Sequence, residues 1–572
     1  MNISFLRNWA GGICLGVLPL LSVAQVQTDA DRDAREQLLR QERDRALREG
    51  LEQRPDVHLS SPETKAYGRI PESETPCFQI DRIRLAVKGD YDFSWALAAA
   101  STPQDPALGR CLGANGINVV MMRIQNAIVA RGYVTTRVLA GDQDLKSREL
   151  VLTVVPGLVR QIRFEDPDIP AERLENTVPI SRGELLNLRA IEQGLENLKR
   201  VPTAEADIQI VPAEGADAAA GESDLVVKWR QARHWRVALS ADDAGSRSTG
   251  KNQGTATLSV DNPFGMSDLF YFSYNHALAP LNSDGRRTDG YNMHYSVPMG
   301  FWQLSTNYST SEYYQTVAGA TEPYVYSGES QNIEVKLNRM LWRNATNKLQ
   351  ASVKGWQRMS SSYINDTEIV VQERRTAGWG AGINHRIYLG SNTLDSSLDY
   401  THGTGMFGAL SAPEEAAGEG TNEMEIVGLN IQFDAPFEVV GLPLRYSGSW
   451  RQQWNRTPLT SQDRFSIGNR YTVRGFDGEL TLMGERGFVS RNELVAPVQS
   501  LGAETYLALD YGRVGGYPVA SELGRSLLGT ALGVRGGVRS FAYDVFVGTP
   551  LEKPKHFETA RVTAGFSLSW SY

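Results

Sequence analysis

The sequence predicts a transmembrane β-barrel of about sixteen antiparallel strands, preceded by an N-terminal helix and two small α/β units. Three observations carry that expectation. From His234 to Tyr572 the chain is a succession of long segments in which apolar and polar residues alternate, about sixteen in all, separated by turn residues. After the first 25 residues no apolar run reaches the roughly 18 residues a membrane helix needs, so any crossing must be made by strands, whose individual signal is far weaker. Between Cys77 and Trp229 one order of strands and helices occurs twice, a repeat at domain scale.

Residues 1–24 read as a secretory signal. Arg7 supplies the positive charge, Ile13 to Leu21 the apolar core, and Ser22-Val23-Ala24 a small-residue cleavage site before Gln25. Cys14 lies inside that core without a lipobox, which argues against a lipoprotein. The formal net charge of −8 gives no basic face, so nucleic acid is not an expected partner. Beyond the signal two cysteines are left, Cys77 and Cys111. An isolated pair in an oxidising compartment forms a disulfide. The competing reading, a metal site, needs two further ligands, and the nearest histidine, His58, stands alone.

Residues 28–54 are charge-rich and made of helix formers, with no proline before Pro55. Leu38, Leu47 and Leu51 are too sparse for a core-facing stripe, so this helix is polar nearly all round and belongs in solvent or inside something wet. Pro55, Pro62 and Pro71, with Pro76 just beyond, make residues 55–75 a linker. Phe78 to Leu85 alternates as a strand. Val120, Ile124 and Ile128 stand at helical spacing in residues 117–131, which end at Gly132. Strands over Tyr133–Leu139 and Glu149–Val155 complete a β-α-α-β-β unit. The second unit has a strand at Val159–Phe164, helices near Pro170–Asn176 and Arg189–Lys199, and strands at Ala206–Val211 and Ser223–Trp229.

With these elements in place, the segments CFQIDRIRL, CLGANGI, ARGYVTTRV and QDLKSRELVLTVVPG, followed by VRQIRF and GELLNLRAIEQGLENLKRVPT, resemble the paired POTRA domains of TpsB-type transporters of two-partner secretion. That family exports hemolysins, filamentous adhesins and contact-dependent inhibition toxins across the outer membrane. The resemblance spans essentially the whole chain. It implies a plug helix at 25–54 held in the barrel pore, a linker at 55–75, POTRA domains at 76–156 and 157–231, and a barrel at 232–572 whose loop 460–484 folds inward. It implies no cofactor and no catalysis. The implied partner is a large exoprotein with an amino-terminal secretion domain, received unfolded by the POTRA domains and exported without ATP by a monomer.

The last strand is the clearest. Phe566, Leu568, Trp570 and Tyr572 point one way and Ser567, Ser569 and Ser571 the other. This is a lipid-facing row, and it also resembles the signal by which the barrel-assembly machinery recognises its clients. A soluble β-sandwich is the competing fold, but strands longer than ten residues with Trp and Tyr at their ends favour lipid.

Val473-Arg474-Gly475-Phe476 lies in a polar segment between two such strands, which by itself reads as a solvated hairpin loop. The resemblance implies instead that the loop turns into the barrel and that Arg474 pairs with an acid on the inner wall. Leu507, Leu509 and Tyr511 share one parity, so Asp510 faces the lumen and is the candidate acid.

Other motifs lack their context. Gly245 to Asn252 comes one residue short of a P-loop, but it ends in Asn and no apolar helix follows. Gly403 to Gly408 spells GxGxxG and runs into an acidic loop instead of a helix. The seven histidines are scattered, with no HExxH and no nucleophile elbow, so no metal or catalytic residue is expected. Two other functions share parts of the pattern. An assembly factor for other barrels would carry more POTRA units and no plug, and a passive porin would not explain the periplasmic repeats.

Overall fold

The computed structural model describes residues 29–52, 55–59, 68–215, 218–278, 286–319, 321–518 and 524–572. The expected signal at 1–24 and the middle of the expected linker lie outside them. Sixteen antiparallel strands close into a barrel that starts at Trp235–Asp242 and ends at Thr563–Ser571. The last strand pairs with the first, from Ser567 opposite Asp242 to Ser571 opposite Ala238. Closure leaves no sheet edge, which is the condition for strands to cross lipid. Among the described residues no helix is long and apolar enough to cross a membrane.

Strand parity sorts lipid from lumen. Leu507 and Leu509 are 54% and 49% exposed on the outer wall, whereas Ala508 and Asp510, which alternate with them, are fully buried inside. In the final strand Leu568 is exposed outward, while Ser567, Ser569 and Ser571 line an internal cavity.

The turns at one mouth of the barrel are short, as at Gly300–Phe301 and Val440–Gly441. This mouth carries the α/β units. In the first unit a parallel pair, Arg82–Val87 and Glu149–Val155, is extended by the antiparallel strand Arg137–Leu139. Helix α2 (Ala114–Ala130) covers it and places Val120, Ile124 and Ile128 in the core with Ile80, Leu112, Leu150 and Leu152. The second unit repeats the order with Leu158–Phe164, Glu222–Gln231 and Ala204–Pro212, beneath helix α3 (Leu188–Lys199). In both units the first helix of the β-α-α-β-β order is a short 3-10 segment, at Ser94–Ala99 and Ala171–Leu174. The polar N-terminal helix α1 spans Asp29–Leu51.

Three expectations need correction. The strand expected over Phe78–Leu85 is broken at Asp81 into Phe78–Ile80, which pairs with Arg110–Leu112, and Arg82–Val87, which pairs with Glu149–Val155, because the Asp81 and Arg82 amides turn to the Arg148 carbonyl. The strand expected over Tyr133–Leu139 holds only Arg137–Leu139, because residues 133–136 form a turn in which the Thr136 amide donates to Tyr133 O. The Thr136 hydroxyl then accepts from the Gly157 amide. Helix α2 begins at Ala114 instead of 117 because its N-terminus is capped from outside. The Glu74 carboxylate accepts from the amides of Gly113, Asn115 and Gly116 at 2.8–2.9 Å, satisfying donors that a helix start leaves free.

The chain entering the first unit is tied down at three points. Glu74 caps α2, Cys77 is disulfide-bonded to Cys111, and Asp105 accepts from the Ile70 amide at 2.9 Å. Asp105 also accepts from Arg110 at 2.7 Å and from Arg123. The Ile70 amide first, and the Arg123 and Arg110 guanidiniums after it, hold the Asp105 carboxyl below its usual range against the opposing effect of burial. A carboxyl depressed in this way stabilises the fold fully above its unfolded value of about 3.9 and loses that contribution as pH falls through the folded value. Asp105→Asn is therefore expected to speed amide exchange at Ile70 and through α2 at neutral pH. The gap from wild type should narrow as pH is lowered below about 4; exchange measured by mass spectrometry across pH checks both halves.

Candidate functional site

Residues 456–485 leave the barrel at the mouth opposite the α/β units and return inside it. The segment is braced by a small hairpin, Phe465–Ile467 against Leu482–Gly484. Its apolar side chains Phe465, Ile467, Val473, Phe476 and Leu482 pack onto Val489, Val514 and Leu527 of the wall. Phe476 also meets Phe557 edge-on, with ring centroids 5.7 Å apart.

At the tip, Arg474 and Asp510 are brought together. Nε of Arg474 donates to Asp510 Oδ2 at 2.7 Å and Nη2 donates to Oδ1 at 2.8 Å, the fork geometry of a bidentate pair. The Arg474 backbone amide adds a third bond to Oδ2 at 3.0 Å. Arg474 is 4% exposed and Asp510 is fully buried. The remaining nitrogen, Nη1, donates to Glu493, whose other oxygen accepts from Arg535 at 3.0 Å. Both guanidiniums lie near the Tyr506 ring, whose hydroxyl donates to Asp544 at 2.8 Å. One ion pair was read from the sequence; Glu493, Arg535 and Tyr506 were missed, since lumenal parity alone does not say which inward residues share a height.

The backbone of the tip rests in a groove of glycines that was also missed. A side chain at Gly529 would stand 2.0 Å from Arg474 O, one at Gly548 2.9 Å from Gly475 Cα, and one at Gly512 3.0 Å from the Val473 side chain. Gly475 itself has φ +97° and faces Thr549 O, so a side chain there would be both strained and blocked. A glycine inside an otherwise regular strand is the signal that could have found this groove, because it marks close backbone approach.

Helix α1 fills much of the remaining lumen. With 23 residues it is about 35 Å long, close to the ~30 Å bilayer core. It is held by polar contacts. Arg40 donates to Glu312 O at 2.8 Å, and Arg43 donates to Gln253 at 2.8 Å and to Asp242 at 3.1 Å. Glu36 accepts from Thr249 at 3.1 Å, Glu42 pairs with Arg451, and Arg35 donates to Glu479 O of the folded-in loop. The near-P-loop at 245–252 is thus a turn whose Thr249 hydroxyl touches the helix.

After α1 the chain passes through a clamp at the barrel mouth. Glu196 and Glu192 of α3 accept from the amides of Val57 and Leu59, both at 2.9 Å. Arg343 at the end of a barrel strand donates to Glu192, Glu196 and Val57 O at 2.9, 2.7 and 2.6 Å. Asp56 takes bonds from Lys348, from Tyr388 at 2.6 Å and from Arg386 at 3.3 Å. Burial would push the Asp56 carboxyl up, but the Lys348 and Tyr388 hydrogen bonds and the nearby Arg386 outweigh it and hold it at about 2.

Three comparisons bear on this arrangement. A family model described as haemolysin secretion/activation protein ShlB/FhaC/HecB matches residues 221–536, a ShlB-type POTRA model matches 78–157 and a second POTRA model matches 158–212. The chain is 37% identical over 548 residues to outer membrane transporter CdiB-2 of Burkholderia pseudomallei strain 1026b, the match covering 93% of each protein. The solved structure of CdiB from Acinetobacter baumannii aligns with a TM-score of 0.83 at 30% identity, over 94% of this chain and 99% of that one. CdiB from Escherichia coli aligns at 0.82 and 25% identity, over 96% and 99%.

Arg474→Ala strands a fully buried carboxylate, a change that costs about 3–5 kcal/mol in other buried pairs. The loop of this variant, and that of Gly529→Val, is expected to become cleavable by protease added to detergent-solubilised protein while the barrel stays folded on a semi-native gel. At the mouth, Asp56→Asn should raise amide exchange over residues 55–59 at neutral pH. Wild type should show the same loosening only as pH falls from about 4 towards 2, because a depressed carboxyl keeps its contribution above the unfolded value.

Proposed function

The chain belongs to the ShlB/FhaC/HecB family of haemolysin secretion/activation proteins, TpsB-type transporters of the outer membrane with periplasmic POTRA domains, and on that premise we propose that it exports a large partner exoprotein through its own lumen. The cargo is an unfolded hemolysin, adhesin or contact-dependent inhibition toxin with an amino-terminal secretion domain. The POTRA domains receive it. Each of their sheets keeps outer strands, such as Ala204–Pro212, that can accept an extended segment through backbone hydrogen bonds. No ATP takes part; folding of the cargo at the cell surface draws it outward.

The observation that carries this reading is the shared lumen. One helix held by polar contacts and one loop pinned by Arg474 fill the barrel directly above the mouth that bears the POTRA domains. A pore for small solutes needs neither. The Arg474–Asp510 pair keeps the loop folded inward, and α1 closes the path until cargo arrives. The closed sixteen-strand barrel works as a monomer, and its final strand, with Phe566, Leu568, Trp570 and Tyr572, is what the barrel-assembly machinery reads during insertion.

In planar bilayers the full chain should conduct poorly, and a variant lacking residues 29–51 should conduct steadily. In cells, Arg474→Ala should abolish export of the partner, identified as the large secreted protein lost when this chain is deleted, at normal barrel abundance. Wild-type export by that variant would overturn the latch. Loss of unrelated outer-membrane barrels on depletion would overturn the transporter reading in favour of an assembly factor.

A further inference from the structure

The lumen has two unlike walls. On one side the folded-in loop covers strands from Arg486 to Glu552, among whose lumenal residues are Arg491 and Glu493, and the neighbouring strands carry Asp399 and Arg451. On the other side, the first strands and the last present Thr255, Thr257, Ser273, Asn292, Ser309 and Ser569 to an internal cavity of about 570 Å³ that α1 completes. The hydroxyls here satisfy one another: Thr257 and Ser273 are 2.8 Å apart, and Ser311 and Ser330 2.7 Å. Ion pairs stand at the edges of this wall: Arg236 with Asp261 at the POTRA mouth, and Asp242 with Arg43, Arg470 with Asp243 and Arg358 with Asp463 towards the other.

We propose that this hydroxyl wall is the surface along which the exported polypeptide slides, and that α1 at rest lies in the cargo's lane. The inference rests on the export reading above and adds which face of the lumen the chain uses. A cavity of 570 Å³ is the size of a small-molecule pocket and admits no moving chain while α1 is present. Once α1 leaves, the loop stays pinned by Arg474 and by the glycine groove, so the strands beneath it stay closed to cargo, and of the faces left open the hydroxyl wall lacks fixed charges such as Asp399 and Arg451. Its chemistry suits transit. An extended chain presents unpaired amides and carbonyls, and neutral hydroxyls and amides exchange hydrogen bonds with them at about 0.5–1.5 kcal/mol each, whereas bonds to fixed charges are about twice as strong and would arrest it.

The test places a photo-crosslinking residue in the intact transporter at Ser273, Ser309 or, as a control on the opposite lumenal wall, Asn430, and jams the partner exoprotein in transit by fusing a folded domain to its carboxy-terminal end. Ser273 and Ser309 should crosslink to cargo and Asn430 should not. Crosslinks at Asn430 equal to or stronger than those at Ser273 and Ser309 would overturn the assignment while leaving export through the lumen intact. Absence of crosslinks at all three positions, with cargo still reaching the surface, would overturn both. Independently, Ser309→Arg should slow export roughly tenfold, the factor one added charge-assisted hydrogen bond contributes to a dwell time, with Asn430→Arg near wild type. Equal export by the two, at equal barrel abundance, would also count against the lane.

Discussion

Arg474 and Asp510 meet where water does not reach, and much of the lumen's arrangement follows from satisfying them. A buried carboxylate tolerates its charge only when its oxygens are filled, and here the guanidinium and the Arg474 amide fill both. To bring that amide close enough, the loop backbone must lie directly on the wall, which is why Gly512, Gly529 and Gly548 carry no side chain beneath it. Glu493, Arg535 and Tyr506 then surround the guanidinium, so its third nitrogen is not left bare.

The two occupants of the lumen are held by different physics. The loop combines a buried bidentate pair with an apolar cluster from Phe465 to Phe557. Helix α1 has no apolar stripe. It is held by separate polar bonds to strand carbonyls and lumenal side chains, each worth about 1 kcal/mol net because water can replace it. Below it, the clamp of Asp56, Glu192, Glu196 and Arg343 joins residues 55–59, the second POTRA domain and the barrel mouth.

Much of the fold was legible because its signals are periodic. Alternation over about sixteen segments, an even count and a final strand with serines on one side are local patterns, and the barrel follows them. The lumenal facing of Asp510 came from parity in the same way. What the sequence hid was set by contacts between distant segments. Helix α2 starts early because Glu74, some forty residues upstream, caps it, and the strand after Gly132 is shortened by a turn that Thr136 joins to Gly157. Glu493 and the three groove glycines were visible as residues but not as neighbours, since height in a barrel depends on the register of many strands.

The sequence by itself determined that this chain is exported, that its carboxy-terminal part crosses a membrane as strands, and that its N-terminal helix is too polar to pack in a core. Those follow from hydrophobicity and its period, properties of a residue and its neighbours along the chain. Only the tertiary structure decided which charges meet inside the barrel, that the loop tip lies in a glycine groove, and that one stretch of the lumenal wall is lined by hydroxyls between ion pairs at its ends. Closure brings together residues hundreds of positions apart, and register and strand tilt choose among them, quantities no local pattern encodes.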